Sequence, residues 1–248
     1  MRLLLLNANT DATITARMAA LAAPLAGPGV TILPVTGRFG ARYISTRAAS
    51  AIAAHAALEA LAEALEATPG PDAVLLACFG DPGLAALREV SPVPVAGMAE
   101  ASLLAAAQLG GRIGVLTGGE RWVLMLGELA ASLGFGQRVL IRCVRQTGAE
   151  IAADPDGALQ GLAAEAQALV SAGAEVVILG GAGLAGLAAR LASSVPVPLL
   201  DSLACGIGQA LALARLGASR PAAGSYAPPP PMPVTGLGAA LSRLLGEG

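Results

Sequence analysis

Apolar positions in this chain come in blocks separated by helical stretches, rather than alternating singly. "LLLLN" (Leu3–Asn7) is an unbroken apolar run closed by an amide, the pattern of a strand buried on both faces. A helix is expected from about Thr13, with Asp11 or Thr10 near its N-cap. "VTILPV" reads as a second strand, and the Ala-rich stretch from about Arg47 to Glu66 as a helix. "AVLLA" from Ala73 is a third strand. A short helix near Leu84, the proline-bounded "VPVAG" and a helix from Ala99 follow. Short apolar runs alternating with helices predict an α/β fold whose parallel sheets are covered on both faces.

The second half repeats the first. Arg2 of "RLLLLNANT" meets Arg112 of "RIGVLTGGE" 110 residues on, and Cys78 ending "AVLLAC" meets Gly181 ending "VVILGG" 103 residues on. "GLAAL" at Gly83 meets "GLAAR" at Gly186 at the same 103, and "PVPV" at Pro92 meets "PVPL" at Pro196 at 104. Two pseudo-symmetric α/β lobes follow, residues 1–100 and 101–205, with the tail 206–248 assigned to the first. Ligands of open parallel sheets bind outside the carboxyl ends of the strands. Two facing lobes would therefore border one cleft with four loops: "NANT", "CFGDPG", "TGGE" and "GGAGLAG". Proline enriches the tail from about Ala218, and its closing "LGAALSRLL" is amphipathic, so it is expected to wrap back onto the first lobe.

Composition narrows the chemistry. The chain is 55% hydrophobic but 2% aromatic, so its core is aliphatic. A net charge of −2 provides no field for nucleic acid. All 15 basic residues are arginine, which excludes a lysine Schiff base and a Walker-type phosphate loop. One histidine and cysteines at 78, 143 and 205 form no zinc pattern, so no metal is expected. Scattered, odd-numbered cysteines also fit a reducing cytoplasm better than a disulfide framework. "MRLLLLNANT" is too short an apolar stretch for a signal peptide, and no uninterrupted span of about 20 apolar residues suggests a membrane partner.

Cys78 has two readings. Free cysteine is usually a buried packing residue. Here it ends a strand and precedes "FGDPG", a turn whose N–H groups can lower a thiol pKa. Cys143, in "RVLIRCVRQ", reads as part of an edge strand, and Cys205 as helix packing. "GAGLAG" (Gly181–Gly186) with Asp201 matches a dinucleotide fingerprint, but the first strand–helix turn is "NANTD", and Asp201 is explained as a helix cap. The glycines are better read as giving the backbone close approach to a small ligand. Asn7, Asn9 and Thr10 offer amide and hydroxyl groups to a small polar ligand, or simply cap the first helix. Thr117 and Gly118 occupy the matching corner of the second lobe. His55 reads as surface or packing. Arg38, Arg42 and Arg47 form either a solvated loop or a substrate clamp.

"ACFGDPGL", "RLLLLNANT", "FGARYIS" and "TGGERWVLML" resemble the hydantoin racemases of the aspartate/glutamate racemase superfamily, in order and over nearly the whole chain, including the "SYAPPPP" tail. The resemblance implies two lobes with a cleft between them, no cofactor, a small-molecule substrate and a homo-oligomer. It also implies two cysteines flanking the substrate's chiral carbon, one removing its proton and the other returning one to the opposite face. The first is Cys78. The second falls on Gly181, since "GGAG" stands where the family has "G-C-A-G". The implied substrate is a 5-substituted hydantoin or similar small ureide. The N–H groups of Phe79 and Gly80, with Asn9, Thr10 and Thr117, would hold its ring and enolate oxygen. Gly180, Ala182 and Gly183 would line the opposite side. Cys78 should titrate near working pH, with activity rising in mildly alkaline buffer. The glycine leaves other readings open: a racemase with water on the Gly181 face, a one-cysteine decarboxylase of substituted malonates like arylmalonate decarboxylase, or a variant or non-catalytic binder without its second cysteine.

Overall fold

The computed structural model describes residues 1–218 and 220–246. In the first half the order is β1 (Arg2–Asn7), α1 (Ala12–Ala26), β2 (Thr31–Thr36), α2 (Arg47–Leu65), β3 (Ala73–Leu76), α3 (Leu84–Val90), β4 (Val95–Gly97) and α4 (Met98–Ala107). The second half runs β5 (Ile113–Gly118), α5 (Arg121–Ser132), β6 (Val139–Val144), α6 (Gly148–Ala153), α7 (Pro155–Ser171), β7 (Val176–Leu179), α8 (Ala188–Leu191), β8 (Leu199–Asp201) and α9 (Ser202–Arg215). A final helix, α10, spans Ala239–Gly246.

Two parallel four-stranded sheets result, ordered β2-β1-β3-β4 and β6-β5-β7-β8. Pairing reproduces the repeat spacings. Leu3 pairs with Ala73 and Ile113 with Val176, and Val74 pairs with Val95 and Val177 with Leu199. The buried leucines of β1 make it a central strand. Pro34, which has no N–H to give, sits in β2 at the sheet edge. β6, which carries Cys143, is likewise an edge strand.

The sheets share one core. α4 leaves the first sheet and packs against β7 and β5 of the second, while α9 leaves the second and packs against β3 and β4 of the first. Met98, Leu103, Leu203 and Ile207 share one buried cluster with Val74–Leu76 and Val95 of the first sheet and Ile113, Val115, Val176 and Ile178 of the second. Gly206 is small for this reason: a Cβ there would come 2.6 Å from Leu75 Cδ1.

The helices start where their caps dictate. The Asp11 carboxylate accepts from the N–H groups of Thr13 and Ile14, and Thr46 Oγ1 accepts from that of Ala49. By length and apolarity alone α2 could cross a membrane, but Glu59 and Glu63 interrupt it and its small residues pack on the first sheet and α3. The tail returns to this helix. Leu241 of α10 is buried with Ala62, a burial that stabilises by about 1.5–3 kcal/mol, and Gly238 N–H donates to Glu59 Oε1 at 2.7 Å. His55 stands half-buried beside Glu59 and edge-on to Phe39.

Candidate active site

The carboxyl ends of both sheets open onto one cavity of about 60 Å³. One water needs roughly 10–15 Å³ on this measure, so there is space for a small, compact ligand. Its walls come from both lobes: Asn7 and Asn9 after β1, Tyr43 after β2, and Cys78 and Phe79 after β3. From the second lobe come Thr117 and Gly118 at the end of β5, Trp122 on α5, Gly148 on α6, and Gly180 to Leu184 after β7.

Cys78 and Gly181 hold equivalent corners. Ala77 N–H donates to Leu6 O and Gly180 N–H to Leu116 O, both at 2.8 Å, extending each sheet by one bond. The next turns match as well. Asp81 N–H donates to Cys78 O at 3.1 Å, and Leu184 N–H to Gly181 O at 2.9 Å. Among the described residues the N–H groups of Cys78, Phe79 and Gly80 in the first lobe and of Ala182 and Gly183 in the second find no partner, which leaves free donors beside each corner. At Gly181 there is space as well. An added Cβ would meet only Leu184 Cδ1 at 3.4 Å and Thr117 Oγ1 at 4.0 Å, although φ is +138°.

The other glycines are small for a different reason than the expected approach to ligand. A Cβ at Gly180 would overlap the Phe79 ring, which reaches across from the first lobe, and one at Gly183 would overlap the Gly148 carbonyl. At Gly118 it would lie 2.7 Å from Gln146 O. These glycines let chain approach chain, and Gly181 alone of the four keeps open space.

The polar groups divide into supports and free ends. Asn7 is buried, and its amide donates to Asn9 Oδ1 at 2.7 Å and Thr15 Oγ1 at 2.9 Å, so it positions the loop. Asn9 Oδ1 also accepts from Asp11 N–H at 2.9 Å, leaving Asn9 Nδ2 as the unpartnered end among the described residues. Thr117 is a buried residue, and its Oγ1, which lines the cavity, has no partner among them. Tyr43 OH donates to Gly118 O at 3.3 Å and accepts from Gly148 N–H at 3.2 Å, stitching one lobe to the other. Burial pushes that phenol's pKa up, against the Gly148 N–H and the Trp122 indole, so it is neutral. Arg17 of α1 makes a second stitch, donating to Gly183 O and Ala185 O at 2.9 Å each.

Two expected residues lie elsewhere. Thr10 is not in the cavity wall; its N–H donates to Ala41 O at 3.2 Å and holds the loop after β2. Gly80 turns away under the Trp122 ring, on the wall of a neighbouring cavity. The arginines are engaged in ion pairs: Arg38 with Glu63, Arg47 with Glu128, and Arg42 with Asp11 at the rim of the site, 2.9 Å apart. Burial works to raise the Asp11 pKa, but the Arg42 hydrogen bond and the Ile14 and Thr13 N–H groups outweigh it and hold it low. Asp201 caps α9 and also accepts from Gly186 N–H at 2.6 Å, so both of its oxygens serve the backbone, as the helix-cap reading expects. Cys205 lies at the α4–α9 contact beside Ser102, its pKa pushed up to about 11 by burial.

Cys78 departs from its expected titration. Burial, and then the Asp81 carboxylate, push its pKa up to about 12, so the thiol is protonated at neutral pH. Asp81 itself is buried at φ +47° and accepts from the N–H groups of Ala99 at 3.0 Å and Glu100 at 2.8 Å. Burial pushes it up to about 7 against those two bonds. The turn N–H groups thus do not outweigh the loss of water around the sulfur.

A sequence profile described as Asp/Glu/Hydantoin racemase matches residues 3–210. The chain belongs to this family. It is therefore an enzyme of the racemase class. A hydantoin racemase from a Pseudomonas species is 31% identical over 219 residues, 88% of this chain and 87% of that protein. The crystal structure of an allantoin racemase from Pseudomonas fluorescens superposes with a TM-score of 0.89 at 32% identity, covering 95% of this chain and all of that one. A double mutant of arylmalonate decarboxylase in its liganded form shares the fold, with a TM-score of 0.66 at 21% identity over 91% of this chain and 97% of that one. Among the wall residues that sequence reasoning passed over are Tyr43 and Trp122. Rarity was their signal, with two tyrosines and one tryptophan in 248 residues.

Proposed function

We propose that this racemase interconverts the enantiomers of a small cyclic ureide, a hydantoin or allantoin-like ring, with Cys78 as the only thiol at the site. The observation that carries this reading is the facing of Cys78 and Gly181 across one small cavity, each beside an unpartnered backbone donor. The relatives of 31–32% identity that act on hydantoin and allantoin support the substrate class. The carbon to be inverted carries a proton acidified by the neighbouring carbonyl. Cys78, as thiolate, takes that proton, and the electron pair moves onto the carbonyl oxygen. Phe79 N–H and Asn9 Nδ2 are donors for that oxygen. On the opposite face, water beside Thr117 Oγ1, in the space a Gly181 side chain would fill, returns a proton to carbon. The hydroxide so formed recovers its proton from the Cys78 thiol through solvent, which restores both groups. No cofactor takes part.

The protonated resting thiol favours a second reading. A neutral thiol on one face is ready to donate to a planar carbanion left when a substituted malonate loses carbon dioxide, and would yield one enantiomer. Proton NMR of one enantiomer of 5-methylhydantoin in D₂O, with polarimetry, separates the two. Loss of the C5–H signal together with rotation is the expected result. Loss of signal with retained rotation means a one-faced acid–base enzyme. No exchange above the blank overturns the racemase reading, and carbon dioxide release from methylphenylmalonate is then the assay.

A further inference from the structure

Beside the site lies a second, more open pocket of about 340 Å³, against about 60 Å³ for the site itself, and one side chain lines both. Trp122, on the first turn of α5, lines both spaces and is 7% exposed. Two glycines hold the indole. Gly80, two residues past Cys78, has φ +151°, and a Cβ there would come 2.6 Å from Cζ3 and 2.7 Å from Cη2. Gly119 has φ +88° and would place a Cβ 4.0 Å from Cδ1. The first lobe thus presses on the benzene edge of the ring while the second supports its pyrrole edge. The pocket beyond is open to solvent; Met125 and Leu129 form its apolar side, and Ser50, Ser132 and the exposed Arg47–Glu128 ion pair border it. Trp122, Met125 and Leu129 give an aliphatic or aromatic group its contacts there, with the polar residues confined to the solvent side.

We propose that Trp122 determines which ring substituents the site accepts. The indole restricts them to small groups, and the pocket beside it becomes a subsite for a large apolar substituent once the indole is cut back. This rests on the proposed function for its substrate class. The wall is built from residues of both lobes but none that reacts.

The test uses 5-methylhydantoin and 5-benzylhydantoin with the wild type, Trp122→Phe and Trp122→Ala. Exchange of C5–H gives kcat/KM for each, and calorimetry gives Kd for each without requiring turnover. The wild type should favour the methyl compound. Trp122→Ala should shift the benzyl-to-methyl ratio towards benzyl by about 10-fold or more, and Trp122→Phe by less in the same direction. Filling the pocket with Ser50→Phe in the Trp122→Ala background should cancel the shift. Trp122→Phe keeps an aromatic core contact, so the inference remains testable if the alanine variant does not fold. Unchanged ratios of Kd in the variants that fold overturn the wall, whatever the exchange assay gives. Exchange of neither compound by the wild type, with the Kd ratios shifting as stated, overturns the racemase reading and leaves the wall standing. Binding of neither compound by any of the proteins overturns both.

Discussion

The two lobes share a strand order, a register and a hydrogen-bonded turn, yet they carry different chemistry. At equivalent corners stand Cys78 and Gly181, and at the ends of equivalent strands Asn7 and Thr117. The carboxylate that caps the helix after the fourth strand has changed its point of attachment. In the first lobe it hangs from the turn after β3, as Asp81, and reaches Ala99 and Glu100. In the second it sits at the end of β8, as Asp201, and reaches Leu203 and Ala204. The residue left over in each case fits the exchange. Gly97, the counterpart of Asp201, must be small, since a Cβ there would come 2.5 Å from Asp81 Oδ2. Leu184, the counterpart of Asp81, is buried in the second core. The backbone thus requires a cap but does not specify which loop supplies it. One consequence follows for function: the first-lobe choice puts a second ionisable group behind Cys78, while the second-lobe choice puts none behind Gly181.

The largest test of this asymmetry removes the one thiol. Cys78→Ala should lower C5–H exchange by ~10²–10⁴-fold, measured by NMR in D₂O; full retained exchange would place the chemistry elsewhere. The next restores the symmetry. Gly181→Cys puts a thiol into space bounded only by Leu184 and Thr117, and racemisation followed by polarimetry should rise about 10-fold or more. Its backbone, at φ +138°, resists a side chain at a cost of about 1–3 kcal/mol, so Tm should fall by about 2–8 °C in calorimetry. A third test uses pH. With the thiol pushed up to about 12, its thiolate fraction grows about tenfold per pH unit over the working range. Then kcat/KM should climb steeply and without a plateau from pH 7 to 10, and a plateau near pH 8 would contradict the burial argument.

The smallest effect concerns stability. Asp81 is raised from 3.8 to about 7 in the folded protein, so the fold binds its proton more tightly than the unfolded chain does. Its contribution is complete below pH 3.8 and is lost as pH rises through about 7. Asp81→Asn should flatten that decline in Tm between pH 4 and 7, followed by calorimetry across that range.

Periodicity and self-similarity carried the fold. The spacings of 110, 103 and 104 residues are the ones that bring paired strand residues into register, because an insertion between strands shifts numbering without altering a sheet. They also placed Gly181 opposite Cys78. Side-chain direction within the loops was not legible. Thr10 and Gly80 sit in the right segments, but one supports a neighbouring loop and the other lies beneath an indole. The glycine cluster showed that something approaches closely there. Only coordinates distinguish a ligand from the Phe79 ring or the Gly148 carbonyl. The thiol's titration depends on how much water surrounds the sulfur, and no local motif encodes that.

Arg17 has a kinematic consequence. Its two bonds to Gly183 O and Ala185 O join the first helix of one lobe to the substrate-side loop of the other. Swinging the lobes apart as a clamshell would break both of those bonds, together with the Tyr43 bridge and the shared α4–α9 layer. The jaws are therefore pinned near their bite. The segment between β2 and α2 is fastened to the same jaws, by Tyr43 to the second lobe, by Ala41 O to the Thr10 N–H and at the rim by Arg42 on Asp11.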